Sequence, residues 1–265
     1  MLSIEEIKLL IEKLEKIDES DFKKIIHTNL QVLKELASAV ETNNSEQINR
    51  LDKTKSWFEL DNQHKKEKPY VDEITRIAIQ NKIFQFGRTN LYNSLEIGPG
   101  NGMFSKDFRA WRLNYFIDVL GTIEKRIRKK FPGQHQKYLQ FFTTNKTECL
   151  SIPQDSCNFI FSWDTFVFFT ETHIKEYLRS MKRVLIPGGY CMIHYADCHY
   201  DFDLEQTKRG YWNYNTKTTM EKLIKEEGYQ IVEFNQFKPG QNYAVFKKPG
   251  KQNPVLYKVS EFTLD

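Results

Sequence analysis

The 265-residue sequence has few cysteines and no long hydrophobic run. Its cysteines are Cys149, Cys157, Cys191 and Cys198. They have neither the spacing of a zinc site nor the density of a disulfide framework, so we expect ordinary thiols in a reducing cytoplasm. The longest apolar run, residues 157–169, is interrupted by Asp164 and is too short to span a bilayer. The N-terminus lacks a basic-then-apolar signal pattern, and we expect no membrane span.

A charge excess of one sign is also missing. The 39 lysines and arginines are nearly matched by 35 aspartates and glutamates, which leaves a formal net charge of +4. A nucleic-acid-binding domain concentrates a larger positive excess on one face, so we expect no nucleic-acid partner. The densest basic run, residues 125–130, is typical of the solvated face of a helix. A patch that attracts phosphate-bearing substrates is the alternative.

The sequence does contain enough apolar material for one packed domain, since 40% of its residues are hydrophobic and 14% are aromatic. Residues 3–50 show helical periodicity, which begins with capping-box spacing at Ser3 and Glu6. We predict an N-terminal helical extension over residues 1–56, a main domain over 57–250 and a tail over 251–265. The apolar seam in the extension favours packing within the chain, and a homo-oligomer formed through these helices is the alternative.

From residue 71 onward, helical and strand-like patterns alternate. Helices are predicted at 71–86, 104–111, 123–131, 171–185 and 217–227, and strands at 95–97, 115–119, 139–143, 159–163, 190–195, 229–237 and 243–248. This alternation predicts an α/β fold with a doubly wound, mostly parallel seven-stranded sheet. The last two strands, joined by a short turn at Pro239 and Gly240, form an antiparallel pair. In such a sheet, ligands bind at the carboxyl ends of the strands.

The segment "SLEIGPGNGMF" (94–104) places three glycines between a predicted strand and a predicted helix. Glu96, Gly98, Gly100 and Gly102 form an acidic-x-Gly-x-Gly-x-Gly pattern. Glycines there adopt backbone conformations forbidden to other residues and let the backbone approach a ligand closely. The spacing excludes the nicotinamide fingerprint G-x-G-x-x-G, and the missing Gly-Lys-Ser/Thr ending excludes a P-loop. A tight turn without a ligand is the alternative.

Asp118 is the second indication of a ligand site, because it lies near the end of the strand predicted after the glycine loop. An acidic side chain at that position can accept hydrogen bonds from both hydroxyls of an adenosine ribose. The alternative is that Asp118 caps the following helix.

With these residues the sequence resembles the class I S-adenosylmethionine-dependent methyltransferases. The likeness spans residues 57–248, and its most specific parts are "LEIGPGNG", "FIDV", "IPQDSCNFIFSWDTFVFF" and "YLRSMKRVLIPGGYCMIHY". It implies a Rossmann-like methyltransferase fold, in which a Pro-Gly-Gly turn leads into the fifth strand. It also implies S-adenosylmethionine as cofactor and S-adenosylhomocysteine as product. Within the family, the motifs look most like enzymes that modify bacterial surface polysaccharides and sugars.

Carried over by position, the resemblance assigns the first part of the cofactor site. Glu96 would order the loop, and Gly98 and Gly100 would face the methionine portion. Asp118 would hold the ribose, with Val119 beside the adenine.

Three later positions complete the implied cofactor site. Asn145 lies where the family often has an aspartate that meets the adenine amino group, and its amide oxygen can still accept that bond. Ser162 and Trp163 end the fourth predicted strand, under the expected position of the sulfonium. Histidine and carboxylate spacing indicates no dedicated metal site, and we predict none.

Asp164 and His194 are the candidate catalytic residues, because they follow neighbouring predicted strands and could converge on the acceptor. The alternatives are a helix-capping aspartate and a core histidine. Asp197 and His199 on the following loop are second-rank candidates. The family branch often has a histidine a few residues after the aspartate, whereas this chain has Phe168 there. Either Asp164 or His194 takes the role of base, or the acceptor is an amine that needs none.

The segment "RGYWNY" (209–214) lies where this fold commonly builds its acceptor pocket. Aromatic faces suit sugar rings and a guanidinium suits a phosphate or carboxylate, whereas a packed surface loop is the alternative. The predicted acceptor-binding residues are Phe168, His199, Arg209, Tyr211 and Trp212. We therefore predict an O-methyltransferase for a small polar acceptor, such as a sugar, nucleotide-sugar or surface-glycan precursor. Alternatives are methylation of nitrogen, RNA or protein, and a non-catalytic S-adenosylmethionine-binding protein.

Overall fold

The computed structural model describes residues 71–87, 93–119, 121, 123–144 and 147–251, together with Lys8. The chain divides into two units between Asp72 and Glu73, and the described residues lie almost entirely in the second. Most of the predicted helical extension and of the tail, and the candidate cofactor residue Asn145, lie outside the described residues. The domain boundaries stay predictions.

The second unit is built on a seven-stranded sheet. Its strands are β1 (Asn93–Ile97), β2 (Leu113–Asp118), β3 (Leu139–Thr143), β4 (Cys157–Ser162), β5 (Leu185–Tyr195), β6 (Gln230–Gln236) and β7 (Asn242–Lys247). They lie in the order β3-β2-β1-β4-β5-β7-β6. The first five are parallel, and β7 runs antiparallel to both β5 and β6. The predicted fold class is therefore confirmed, including the antiparallel pair.

Helices cover both faces of this sheet. They are α1 (Glu73–Gly87), α2 (Ile123–Arg128), α3 (Glu171–Val184), α4 (Asp201–Lys208) and α5 (Lys217–Glu226). The hydroxyl oxygens of Thr170 and Thr216 accept hydrogen bonds from the backbone at the first turns of α3 and α5, which fixes where those helices begin. No helix in the described part of the chain has the length and apolar character needed to cross a bilayer.

The core lies on both faces of the central strands. Every residue of β1 and β4 is buried, as expected for parallel strands enclosed by helices. On one face, Leu178 of α3 and Ile224 of α5 pack with Ile160. On the other, Phe108 packs against Phe159. The strand order changes direction between β1 and β4, and in doubly wound sheets that point opens a crevice at the carboxyl edge.

Two predicted elements differ from the structure. Residues 104–111, predicted as a helix, contain the short 3₁₀ helix Ser105–Ala110. The Pro-Gly-Gly sequence, predicted as a turn before the fifth strand, lies within β5, where it forms a bulge. Leu185 pairs with Cys157, whereas Tyr190 pairs with Phe159. Gly188 makes the bulge possible because its φ is +77°.

Helix α4 was not predicted. Its two apolar side chains, Phe202 and Leu204, are two positions apart, which is not helical spacing. The helix is instead attached to the segment after β5 and to β7 through the buried side chain of Asp203. Asp203 accepts hydrogen bonds from the Asp197 N–H at 2.7 Å and from the Asn242 amide at 2.6 Å. This helix separates β5 from the "RGYWNY" segment, which the sequence placed directly between β5 and the next helix.

All four cysteines are free and buried, as predicted. Burial raises the pKa of the Cys149 thiol to about 12, so this group stays protonated near neutrality. The buried thiols therefore serve as small apolar side chains in the core.

A substitution in the β5 bulge tests how tightly it packs. A Cβ added at Gly189 would lie 2.9 Å from the Leu185 side chain and 3.0 Å from the Asn158 carbonyl oxygen. We expect Gly189→Ala to lower the free energy of unfolding by about 1–3 kcal/mol, because the crowded carbonyl belongs to the backbone. Urea unfolding measures the change. Gly133→Ala is the control, since nothing lies within 4 Å of a Cβ there. Equal stability of the two variants would contradict the packing argument.

Candidate functional site

The candidate site lies at the carboxyl edge of the sheet. Because parallel strands end at the same edge, the segments that follow β1, β2, β4 and β5 all emerge there. These segments contain the glycine loop (98–102), Asp118, Asp164 and residues 196–199.

The glycine loop is held in a left-handed conformation at each of its glycines. The φ angles of Gly98, Gly100 and Gly102 are +67°, +51° and +74°, values that side-chain-bearing residues rarely adopt. The Gly98 N–H donates to the Ile117 carbonyl at 2.8 Å, and the Gly102 N–H donates to Pro99 at 2.7 Å. The loop is therefore a closed turn fixed to the end of β2.

Gly98 also makes room for a side chain from the end of β4. A Cβ on Gly98 would lie 2.0 Å from Thr165 Oγ1. That hydroxyl lies 3.3 to 3.4 Å from the carbonyl oxygens of Ile97, Gly98 and Trp163. The absence of a side chain at Gly98 thus allows the loop to pack directly against Thr165, a contact that the sequence analysis did not identify.

Glu96 anchors the loop from below. Its side chain is buried, and the Ser105 hydroxyl donates to Oε2 at 2.6 Å. The pKa of Glu96 is raised to about 8, mainly by burial and to a smaller extent by the charges of Asp107 and Asp118, against the lowering effect of the Ser105 hydrogen bond. Without a ligand, the carboxyl is therefore largely protonated near neutral pH. It joins β1 to the 3₁₀ helix that follows the loop.

Asp118 lies beside the glycine loop, at the tip of β2. The Gly100 N–H donates to Asp118 Oδ2 at 3.4 Å. Val119, the next residue, is exposed. The structure therefore places the Asp118 carboxylate against the glycine backbone, with the exposed Val119 next to it in the chain, and their roles in cofactor binding stay predictions.

Ser162 and Trp163 form the floor of this edge, and their side chains are buried. The Ser162 hydroxyl donates to the Ile97 carbonyl at 2.8 Å, and the Trp163 Nε1–H donates to Gln241 Oε1 at 3.2 Å. Trp163 also stacks on the His194 ring at 4.8 Å between centroids. Only the backbone of these two residues remains to face a ligand.

Asp164 and His194 come together, as the sequence analysis expected. Asp164 Oδ1 lies 2.9 Å from His194 Nδ1, and His194 Nε2 lies 2.9 Å from the Gly240 carbonyl oxygen. Because a carbonyl oxygen only accepts, Nε2 carries a hydrogen. The His194 side chain is 0% exposed, whereas that of Asp164 is 23% exposed. Asp164 is therefore the member of the pair that can reach a bound molecule.

A hydrogen atom must lie between Asp164 Oδ1 and His194 Nδ1, which are 2.9 Å apart. The Asp164 N–H is also 3.2 Å from Nδ1. If it were the donor to Nδ1, Asp164 Oδ1 would be a buried oxygen without a partner, which is costly. A hydrogen shared between Nδ1 and Oδ1 satisfies both atoms. The φ of Asp164 is +55°, so this contact also fixes an unusual backbone turn.

Gly240 is fixed from its other side by helix α4. A Cβ on Gly240 would lie 2.3 Å from Phe202 Cε1. The turn between β6 and β7 is thus in contact with both Phe202 and His194.

A second histidine–aspartate pair follows β5. His199 Nδ1 lies 3.0 Å from Asp197 Oδ1, and their side chains are 61% and 5% exposed. Asp203 contacts this second pair through the Asp197 N–H at 2.7 Å. Burial raises the pKa of Asp203 to about 6, while the nearby charge of His194 lowers it and that of Asp197 raises it.

The predicted acceptor residues do not share one environment. Arg209 forms an exposed ion pair with Glu205 at 3.0 Å. Tyr211 is exposed, whereas Trp212 is buried and packs with Val167 and Ala196, against which the half-buried Phe168 also lies.

The "RGYWNY" segment is fastened to the end of β4. The Asn213 N–H donates to the Val167 carbonyl at 2.8 Å, and its amide donates to the Phe168 carbonyl at 2.5 Å. The segment therefore covers the residues that follow β4, with Trp212 turned inward.

Comparison with protein families identifies the fold unit. Residues 36–233 match the model of a family described as a methyltransferase domain. The chain belongs to this methyltransferase family. A comparison with curated proteins finds no match.

Solved methyltransferase structures share the fold. One is a geranyl diphosphate C-methyltransferase from Streptomyces coelicolor A3(2), in complex with Mg²⁺, geranyl diphosphate and S-adenosyl-L-homocysteine. It is 7% identical, with 65% of this chain and 78% of that chain covered and a TM-score of 0.54. An S-adenosylmethionine-dependent methyltransferase from Mesorhizobium loti is 13% identical, with 64% and 96% covered and a TM-score of 0.53.

The fold is not restricted to methyl transfer. The [4+2]-cyclase SpnF is 10% identical, with 66% of this chain and 82% of that chain covered and a TM-score of 0.53. At such identities, the similarity of these structures shows the fold alone.

The residues of this methyltransferase fit S-adenosylmethionine at the carboxyl edge. The glycine loop presents backbone at Gly100, where Asp118 already approaches the loop N–H. A carboxylate there suits two ribose hydroxyls, and the exposed Val119 offers an apolar surface to a flat base. Within the described ranges, no three His, Cys, Asp or Glu side chains are grouped as a metal site requires. Independence from metal stays a prediction.

Ser105, Thr165 and Asp203 are the site residues that the sequence analysis missed. Ser105 bonds Glu96 from nine positions away, and a hydroxyl at the start of the segment after the loop was the available signal. No sequence signal linked Thr165 to Gly98, or Asp203 to Asn242, because each contact joins distant segments.

The buried carboxyl group of Glu96 makes the free energy of unfolding depend on pH. Because the folded pKa of Glu96 is about 8, above its ordinary value of 4.5, the folded chain keeps a proton that the unfolded chain releases between these pH values. The free energy of unfolding should therefore fall as pH rises through this window, by up to about 1.4 kcal/mol per pH unit. In Glu96→Gln, whose amide oxygen can still accept from Ser105, the decrease above about pH 6 should be absent, while Asp203, whose pKa burial raises to about 6, still contributes below that pH. Urea unfolding from pH 5 to 8 measures both profiles, and parallel profiles would contradict the assignment.

Proposed function

We propose that the protein transfers a methyl group from S-adenosylmethionine to a hydroxyl of a small polar acceptor, such as a sugar or a surface-glycan precursor. The observation that carries the proposal is the position of Asp118, whose carboxylate lies against the glycine-loop backbone at Gly100. When bound, the cofactor supplies an already activated methyl group. The protein has to hold the acceptor in line with that group and exclude water.

In this proposal, Asp118 binds the ribose, Val119 lies beside the adenine, and Gly98 and Gly100 face the methionine portion. Glu96 acts indirectly, by fixing the loop through Ser105. Ser162 and Trp163 support the floor through buried contacts. Asn145 remains the proposed partner of the adenine amino group.

Asp164 is the proposed acceptor-orienting group. It is partly exposed, and it follows β4 directly beyond the floor residues. A carboxylate there can accept a hydrogen bond from an acceptor hydroxyl. His194 is too buried to touch the acceptor, so we assign it the role of positioning Asp164 through the contact at 2.9 Å. Phe168, Tyr211 and Trp212 supply aromatic surface, of which only Tyr211 is largely exposed.

Methylation of an amine is the second candidate. The edge contains the carboxyl groups of Asp164 and Asp197, and the one guanidinium proposed for anion binding, Arg209, is paired with Glu205. This arrangement favours a neutral or cationic acceptor over a phosphate-bearing one. It supports an amine or a plain sugar hydroxyl above a nucleotide-sugar. RNA and protein acceptors have no such support.

The function is tested by incubating the purified protein with cell extract and S-adenosylmethionine that carries a labelled methyl group. We expect formation of S-adenosylhomocysteine and a labelled small polar product, identified by mass spectrometry. Label on oxygen supports the first candidate, and label on nitrogen supports the second. Binding of S-adenosylhomocysteine without any labelled product would indicate a non-catalytic binding protein.

Asp118→Asn should weaken binding of S-adenosylhomocysteine by roughly 10- to 100-fold, because a hydrogen bond to a charged group contributes about 1.5–3 kcal/mol. Titration calorimetry measures the dissociation constant. The matched control is Asp155→Asn, which removes a carboxylate that pairs with Lys248 just before β4, at the opposite edge. It should leave the affinity unchanged. Unchanged affinity in Asp118→Asn would refute the ribose assignment.

A further inference from the structure

The two histidines at the carboxyl edge differ in the ring atom that they leave accessible. In His194, the Nε2 hydrogen is directed to the Gly240 carbonyl, and Nδ1 faces Asp164. This ring is fully buried and has no lone pair directed to solvent. In His199, Nδ1 likewise meets an aspartate, the buried Asp197, but the side chain is 61% exposed.

Asp197 is held so that it can only accept from the His199 ring. Its Oδ1 also accepts from the Lys217 N–H at 3.1 Å, the first residue of α5, and from the His199 N–H at 3.4 Å. Two backbone N–H groups thus already direct their hydrogens at Oδ1, so this oxygen acts as an acceptor. His199 Nδ1 faces the same oxygen at 3.0 Å and is the atom of this pair that donates. In the neutral ring, the lone pair then lies on Nε2.

His199 lies at the carboxyl edge of the sheet, where the acceptor is proposed to bind. His199 follows the carboxyl end of β5, the strand next to β4, whose end leads into Asp164. Ala196 packs with Trp212 and Val167, which joins the segment after β5 to the segment after β4. No hydrogen-bond partner of His199 Nε2 occurs among residues of the described ranges.

We infer that His199 is the general base of the reaction and that Asp197 is its positioning residue, an inference that rests on the proposed function. The acceptor oxygen attacks the methyl carbon as the carbon–sulfur bond breaks, and the bonding electron pair returns to sulfur. The hydroxyl proton passes to Nε2 of His199. The resulting imidazolium is stabilised by Asp197 and releases its proton to solvent.

The first test needs no acceptor. Long-range ¹H–¹⁵N NMR of the protein should show neutral His199 with its hydrogen on Nδ1. In Asp197→Asn, the hydrogen should move toward Nε2, because the amide can accept or donate and no longer imposes the tautomer. A wild-type ring with its hydrogen on Nε2 would overturn the inference, whatever the function of the protein.

The second test measures labelled methyl transfer into cell extract. A positioned base contributes about 10²–10⁴-fold, so His199→Ala should lose at least about 100-fold of the rate. Its affinity for S-adenosylhomocysteine should be unchanged by calorimetry. Because the ring is exposed, added imidazole should restore part of the rate. His135→Ala, on the 3₁₀ helix before β3 at the opposite edge, is the control and should neither lose activity nor respond to imidazole.

Failure of the base assignment and failure of the proposed methyltransferase function give different results. Full activity in His199→Ala, or a loss that imidazole does not restore, would overturn the role of base while leaving the methyltransferase intact. A wild-type protein that binds S-adenosylhomocysteine but labels nothing would overturn the proposed function, and the role of His199 with it.

Discussion

The close packing of the first turn after β1 against the end of β4 is the constraint on which the site depends. The Thr165 side chain fills the space that a Cβ on Gly98 would take. Because the two residues pack this closely, a shift of one strand end would displace the other. Ser162 adds a hydrogen bond to Ile97 from the same side. This packing holds the glycine backbone and the Asp164 turn in one rigid frame. A cofactor pocket and an acceptor pocket that must meet at one methyl group require such a frame.

Buried acids organise the rest of the edge. Glu96 fixes the glycine loop, Asp203 fixes α4 to β7, and Asp197 caps the start of α5. Each is bonded to backbone or to neutral side chains, so the carboxyl groups act through hydrogen bonds more than through ion pairs. The arrangement leaves two histidine–aspartate pairs at this edge: Asp164 with the buried His194, and Asp197 with the exposed His199. Their difference in burial is the basis of the different roles that we propose for them.

The sequence was sufficient for the sheet and for the contact between Asp118 and the glycine loop, whereas the role of these residues in cofactor binding stays a prediction. Glycine spacing after a strand, and an acid at the tip of the next strand, are local patterns with a direct physical meaning, and Asp118 lies against Gly100 as expected. The acceptor side depends on contacts between distant segments. The burial of His194 depends on Gly240, 46 positions away, and the inward turn of Trp212 depends on Val167 and Ala196. The apolar pattern of α4 is too short to indicate a helix.

The turn between β6 and β7 should not tolerate insertions, although it is a hairpin turn. A tight hairpin turn at the surface is ordinarily where insertions are best tolerated. Here the backbone of Gly240 binds the ring of His194 on one side and packs under Phe202 on the other. Lengthening the hairpin would therefore disturb the histidine and the helix together. Sequence change is expected instead at Tyr211 and Tyr214, which are exposed.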